Sequence, residues 1–416
     1  MYIKLAFSIS RQNDSAFVRS SRRRMASQTC LSHEKNERRL VFIDALRVAA
    51  IAFVIIHHAA QAYGPTGGIW PVHDRAQSGW FTPFYTANAA FGMGLMFLLA
   101  GYFVAPSYNR KGPRLFLRGR WLRIGIPLAS IVLLVHLPVV YLLAGMPEAL
   151  QFLIGLYERG WQPIYLHLWF VAHLLLYCLA YTAWRRISEP TKGGSMILAL
   201  PSHAVIVAFV VGLALITWLV RIWYPVDKWV PFLWVVPAEP AHLPQYMAFF
   251  AAGVAAYRGD WFGRLPTGNG LIWLAIGMIA SGGIYVAYAF GWWKMAPGGL
   301  GLESLMRSSW ETVIAVGLSI GLIIAFRELF DHPNRVFTVM AAASFGAYIL
   351  HPAIVVALQA AMTDVPLDAF AKFAVVSLLG TVAAFAVAYL AGRVPGIRVL
   401  LGATSGREAP LLSVAR

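Results

Sequence analysis

Charge is scarce in this sequence: Asp, Glu, Lys and Arg together make up 12% of 416 residues, against about 25% in an ordinary soluble domain. That scarcity excludes a soluble globular chain. With 59% hydrophobic residues and a mean hydropathy of +0.64, a soluble core could not hide the apolar surface, so lipid must face much of it. Acids are scarcer still, 18 against 34 basic residues, which leaves a net charge of +16. The basic residues fall in short runs between apolar stretches, as orientation signals and phosphate-binding loops do in membrane proteins, so no nucleic-acid partner is expected. Cysteine is nearly absent. Cys30 lies in a polar tail and Cys178 in an apolar stretch, so no disulfide framework is implied. Residues 1–40 lack the apolar run of about 7–15 residues that a signal peptide needs. They read as a basic, disordered cytoplasmic tail, with Met25 an alternative start. The 15 Trp and 17 Tyr suit interfacial anchoring, although core packing uses them too.

What is present is a series of ten apolar stretches, each near the ~20 residues that a spanning helix needs. They fall near 42–63, 84–105, 124–144, 166–184, 203–223, 244–258, 270–290, 308–326, 337–362 and 369–392. The fold class expected is all-α, a polytopic transmembrane bundle of about ten spans. The sixth stretch is short. Pro352 in the ninth predicts a kink whose freed carbonyl must find another partner inside the bundle. Basic residues set the orientation. The tail has nine Lys/Arg and three acids, a difference of +6 (9 − 3). Arg110, Lys111, Arg114, Arg118, Arg120 and Arg123 follow the second span without an acid. Arg185, Arg186 and Lys192 follow the fourth, and Arg393, Arg398 and Arg407 the tenth, whereas alternate loops such as Glu148, Glu158 and Arg159 are nearly neutral. Both termini are therefore expected in the cytoplasm. The division is a tail over 1–40, a transmembrane domain over 41–392 and a short cytoplasmic tail over 393–416. No internal repeat is visible, and Gly317–Gly321 reads as a small-xxx-small packing pair.

Ionisable groups inside spans are costly and so mark chemistry by default. The first span carries Asp44, Arg47, His57 and His58. Eleven residues at roughly 100° each put Arg47 and His58 within about 20° on one face, with ~16 Å of rise between them, and Asp44 falls on the same stripe. His57 points roughly 100° away, toward a neighbouring helix. The plain readings are a satisfied core histidine for His58, a snorkelling or Asp44-paired side chain for Arg47, and an orientation signal for the arginine run. Other buried polar groups strengthen the chemical reading: His167, His173, Glu311 and His351 lie toward the outer half, with Glu239 and His242 beside the sixth span. Arginine forks suit phosphate oxygens, and histidine suits deprotonation of a hydroxyl near neutral pH. A phosphate-bearing donor entering from the cytosol fits both. No two histidines share a face at i, i+4 with a matching acid, and His57–His58 is a poor chelate, so no metal is expected. There is no Gly-rich phosphate loop and no nucleophile elbow.

Over residues 38–392 the sequence resembles the integral-membrane acyltransferase family 3. The most specific elements are an Arg, ten residues and a His in the first span, here Arg47 and His58, and an Arg-x-x-Arg before the third, here Arg120 and Arg123. Softer similarities are GLMFLLAGYF, HLWFVAHLLLY, EPAHLPQYMAFFAAGVAAYR, SSWETVIAVGLSIGLIIAFR and SFGAYILHP, in matching order. The LWF and RIGIP pieces look most like the branch that includes glucan-modifying succinyltransferases. The resemblance implies an O-acyltransferase in a bacterial inner (plasma) membrane, moving acetyl or succinyl from acyl-coenzyme A to a hydroxyl of an extracytoplasmic glycan or similar acceptor. It implies donor phosphates against Arg118, Arg120 and Arg123, and Arg47 near the pantetheine or thioester. His58 is then the general base, with Glu311 or His351 fixing its tautomer. An acyl-histidine route uses the same residues. The rival readings are a secondary transporter or flippase for an anionic glycolipid, and a membrane sensor without turnover.

Overall fold

The computed structural model describes residues 41–65, 70–188, 198–292 and 295–402. The expected tail with Cys30 and Met25, and also Lys192 and Arg407, lie outside the described residues. The described part of the unit Phe42–Arg416 is mostly helical. Among its described residues the exception is a small antiparallel hairpin, β1 Val230–Phe232 against β2 Val236–Ala238. Among the described residues nine long helices follow one another: α1 Val41–Ala60, α2 Phe81–Arg120, α3 Trp169–Ile187, α4 His203–Arg221 and α5 Leu243–Gly259. The rest are α6 Thr267–Ala289, α7 Leu302–Phe330, α8 Arg335–Met362 and α9 Ala369–Ala391.

Eight described segments are long and apolar enough to cross a bilayer. Two differences separate that count from the ten stretches in the sequence. Helix α5 has 17 residues, just under the ~20 that a span needs. The second and third stretches are continuous in Phe81–Leu143, which has 63 residues. At 1.5 Å per residue that length is ~95 Å, about three bilayer cores, and is enough for two crossings. It bends at Gly112, whose φ of 70° is open to glycine and costly for other residues. Beyond the bend come two wide π turns, Trp121–Gly125 and Val132–His136. Each is followed within two residues by a proline, Pro127 and Pro138, whose missing N–H breaks the regular ladder and favours such a bulge.

Helices meet where glycine lets backbones touch. A Cβ on Gly101 would lie 2.1 Å from the Phe250 carbonyl, and one on Gly253 would lie 2.1 Å from that of Leu98. Thus α2 and α5 pack with no side chain between them at that level. The Gly317–Gly321 pair behaves as its spacing predicts. A Cβ on Gly317 would meet the Gly277 backbone at 2.9 Å, and one on Gly321 would meet Leu274 at 2.5 Å, which closes α7 onto α6. After α9 the short helix Pro395–Leu400 packs on Ile126–Ile131. The following turn at Gly402, with φ 63°, lies against the Arg123 carbonyl. The described chain after α9 therefore passes beside Arg123.

Candidate active site

Helix α1 carries the stripe read from the sequence. Near its start Arg47 pairs with Asp44 at 3.3 Å, and its guanidinium sits 5.0 Å from the Phe103 ring of α2. Near its end His57 faces α2, with its ring 5.6 Å from Tyr85 and 6.3 Å from Phe84. The helices are therefore antiparallel, and the arginine run beyond Phe103 lies at the end of the bundle where α1 begins. There Arg120 is half-buried with its guanidinium 5.0 Å from the Phe116 ring, while Arg118 and Arg123 are exposed. Phe103 and Phe116 each cover one side of a guanidinium, that of Arg47 and that of Arg120.

His58 points where the helical wheel places it, and α8 meets it there. Its Nδ1 lies 2.9 Å from the Val54 carbonyl and 3.1 Å from His351 Nε2. His351 Nδ1 in turn lies 2.7 Å from the Tyr348 carbonyl. A carbonyl only accepts, so each Nδ1 must carry its proton, which leaves both Nε2 atoms as acceptors. The pairing is self-consistent: His58 donates from Nδ1 to Val54 and His351, and its Nε2 is the unprotonated ring nitrogen. Pro352 is the reason His351 can be held this way. Its ring nitrogen has no hydrogen, so the Tyr348 carbonyl four residues back is released from the helical ladder. The His351 ring occupies that carbonyl. This is the bundle-internal partner that the proline in the sequence calls for, and α8 runs on through Pro352 to Met362.

Further histidines line up beyond His351. The His167 ring is 5.0 Å from that of His351, and the His136 ring is 6.0 Å from that of His167. His136 is oriented by the Ile164 carbonyl at 2.9 Å. His173 is placed elsewhere. Its Nε2 binds the Pro237 carbonyl of β2 at 2.8 Å and fastens the hairpin to α3. Among the described residues no group of three or more His, Cys, Asp or Glu is placed to hold a metal ion.

Glu311 is joined to a different centre. One carboxylate oxygen accepts from Arg307 Nε at 2.8 Å, and the other is bound by Arg221 of α4. Arg221, wholly buried, also donates to Ser308 at 3.2 Å and lies 3.5 Å from His242 Nδ1. His242 meets Glu239 at 3.4 Å, and Glu239 accepts the Asp227 backbone N–H at 2.7 Å. Burial and the neighbouring Glu239 carboxylate hold the loop carboxyl of Asp227 above its usual range. Of the two expected tautomer partners of His58, His351 is therefore in contact. Glu311 has both oxygens committed to arginines, because the buried Arg221 and the half-buried Arg307 need its charge more than a neutral imidazole does.

Sequence reasoning passed over several residues. Arg221 and Lys372 are ionisable groups within apolar stretches, the very signal that singled out His58. Lys372 is buried, and its Nζ meets both oxygens of Asp74 at 2.9 and 2.8 Å. Gln359 and Trp70, which border His58, carry no charge and gave no such signal.

The sequence profile of acyltransferase family 3, described as "Acyltransferase domain", matches residues 40–393. The chain is similar to glucans biosynthesis protein C of Salmonella schwarzengrund (strain CVM19633), with 27% identity over 183 residues, 42% of this chain and 47% of that one. The same values hold for glucans biosynthesis protein C of Salmonella typhi. The chain spans about half the length of the curated relatives it matches. No solved structure matches it.

Proposed function

This chain belongs to acyltransferase family 3, and from its site geometry we propose that it moves an acyl group from cytosolic acyl-coenzyme A to a hydroxyl of an extracytoplasmic glycan or similar acceptor. The observation that carries the reading is the His58–His351 pair, 3.1 Å apart, which leaves the lone pair of His58 on Nε2. Acceptor hydroxyl, thioester carbon and His58 would meet there. The hydroxyl proton passes to Nε2 as oxygen attacks the thioester, and it then returns to the departing thiolate. Transfer through an acyl-histidine would use the same nitrogen as nucleophile. Arg47, Arg118, Arg120 and Arg123 would receive the donor, with its phosphates on the arginine run and its arm along α1. The ~16 Å from Arg47 to His58 fits a donor whose charged head stays near one membrane face while its thioester reaches the interior. Acetyl and succinyl are the acyl groups proposed. The name of the Salmonella relatives, glucans biosynthesis protein C, favours a glucan among glycan acceptors. The bundle is proposed to sit in a bacterial inner membrane with ten crossings and both termini cytoplasmic, counting Phe81–Leu143 twice and α5 once. Residues 41–392 then form the transmembrane domain, and 1–40 and 393–416 the cytoplasmic tails.

Two measurements test the reading. Reporters fused after Lys111 and after Arg393 are expected to be cytoplasmic, and one near Gly67, outside the described residues, external. A Lys111 reporter on the outside would overturn the donor side and the orientation together. Purified protein is expected to release coenzyme A thiol from acetyl-CoA or succinyl-CoA, which no carrier does. In that assay Arg120→Ala or Arg123→Ala should weaken donor binding roughly ten- to hundred-fold, the loss of one charge-assisted contact, with Lys rescuing only in part. Correctly inserted variants that bind donor as tightly as the parent would reduce the run to an orientation signal.

A further inference from the structure

The chain after α1 returns over the end of that helix and is fixed there at several points. Asp74 N–H donates to the Ala62 carbonyl at 2.9 Å, and Ser78 N–H donates to that of Tyr63 at 2.8 Å. The Asp74 carboxylate is held by buried Lys372 of α9, which also donates to the Thr363 carbonyl at 3.1 Å. This return segment carries Trp70 onto the site. The Trp70 indole stacks on the His58 imidazole, with centroids 5.3 Å apart and planes 28° from parallel. Its Nε1 donates to Gln359 Oε1 at 2.7 Å.

Gln359, wholly buried on α8, has its other end on α1. Its Nε2 donates to the His58 carbonyl at 3.1 Å and to the Ala59 carbonyl at 3.0 Å. Those are among the last carbonyls of the helix, which have no partner within it. One amide therefore ties the backbone that carries His58 to the indole that lies on its ring. The ring is bounded by His351 at its Nδ1 edge and by Trp70 on a face.

We propose that Trp70 is a positioning residue for His58, stacked on the imidazole to keep Nε2 presented to the acceptor and to stabilise the ring while it carries the transferred proton. The physical basis is the negative face of the indole, which attracts a cation most strongly where water is absent. His57 stacks instead on a phenylalanine, Phe84, at the longer centroid distance of 6.3 Å, with Tyr85 edge-on and Gln61 at its Nε2, and an indole face attracts a cation more strongly than a phenyl one. The proposal rests on the reading of His58 as the base, so its test separates the two.

Trp70→Met fills much of the space without an aromatic face, and Trp70→Phe keeps the face but loses the bond to Gln359. With acetyl-CoA as donor and thiol release as readout, Trp70→Met should lower kcat about thirty-fold, the factor that ~2 kcal/mol of a desolvated cation–π contact carries. Donor affinity should stay within about twofold, because the donor head is held at the far end of α1, ~16 Å away. Trp70→Phe should recover most of the rate. Histidine-selective 15N NMR gives a readout without substrate. The His58 resonances, assigned by their loss in His58→Ala, should show one protonated Nδ1 in the parent and in Trp70→Phe, and tautomeric averaging in Trp70→Met. Parent-like kcat and parent-like His58 resonances in Trp70→Met would overturn the proposal. If His58→Ala keeps full turnover while Trp70→Met still averages the tautomers, the base assignment fails and the positioning contact stands.

Discussion

His58→Ala is expected to lose about 10²–10⁴-fold in turnover, the range that a positioned acid–base group contributes. Donor affinity should hardly change, because the ring lies ~16 Å along α1 from Arg47. His57→Ala is the control for packing damage and should be far milder. Its ring packs on Phe84 and Tyr85 and takes no part in the pair with His351. The measurement is single-turnover acyl transfer by folded, detergent-stable variants, alongside donor binding. Full activity in His58→Ala ends the general-base reading. Equal losses at His57 and His58 would reduce both to packing.

The second large effect is expected at Glu311, in stability. Glu311→Ala removes the one carboxylate shared by Arg221 and Arg307, and leaves Arg221 wholly buried beside a like charge. Breaking a buried pair in this way costs about 3–5 kcal/mol, a large part of the ~5–15 kcal/mol that holds a folded protein. The variant should therefore show a sharply lowered unfolding midpoint in detergent. Arg221→Met combined with Glu311→Ala should recover part of the loss, because the stranded buried cation is gone. If Glu311→Ala instead keeps the parent's midpoint and loses only turnover, Glu311 acts on the chemistry and its arginine contacts are secondary.

Much of the architecture could be read from residue order, because a bilayer tolerates few solutions. Apolar runs of fixed length had to be helices, and the stripe of Asp44, Arg47 and His58 followed from 3.6 residues per turn. The Gly317–Gly321 contact and the released carbonyl before Pro352 were legible for the same local reason. What could not be read was which helices meet. Glu311, His351 and His167 all lie toward the outer half in sequence. Only the packing of α8 on α1 and of α4 on α7 decides that His351 joins His58 while Glu311 joins Arg221. Trp70 and Gln359 were invisible for a second reason. Neutral residues in a Trp-rich, apolar chain carry no signal until a fold brings them against a titratable ring. The limits of the long segments were also out of reach. The bend at Gly112 and the two π turns depend on glycine and proline positions whose effect on the ladder appears only in the folded chain.

Pro352 has a consequence for how robust the site is. The atom that sets the His351 proton is a main-chain oxygen, made available by a hydrogen that the next residue lacks. No neighbouring side chain has to be preserved for that, and main-chain oxygens do not titrate. Substitutions around the pair can alter its volume and access while the His351 proton stays on Nδ1, facing the Tyr348 carbonyl. The dipeptide His351–Pro352 therefore holds its instruction within itself. The residues around the pair are free to diverge about a His351 tautomer that is inherited with two adjacent residues.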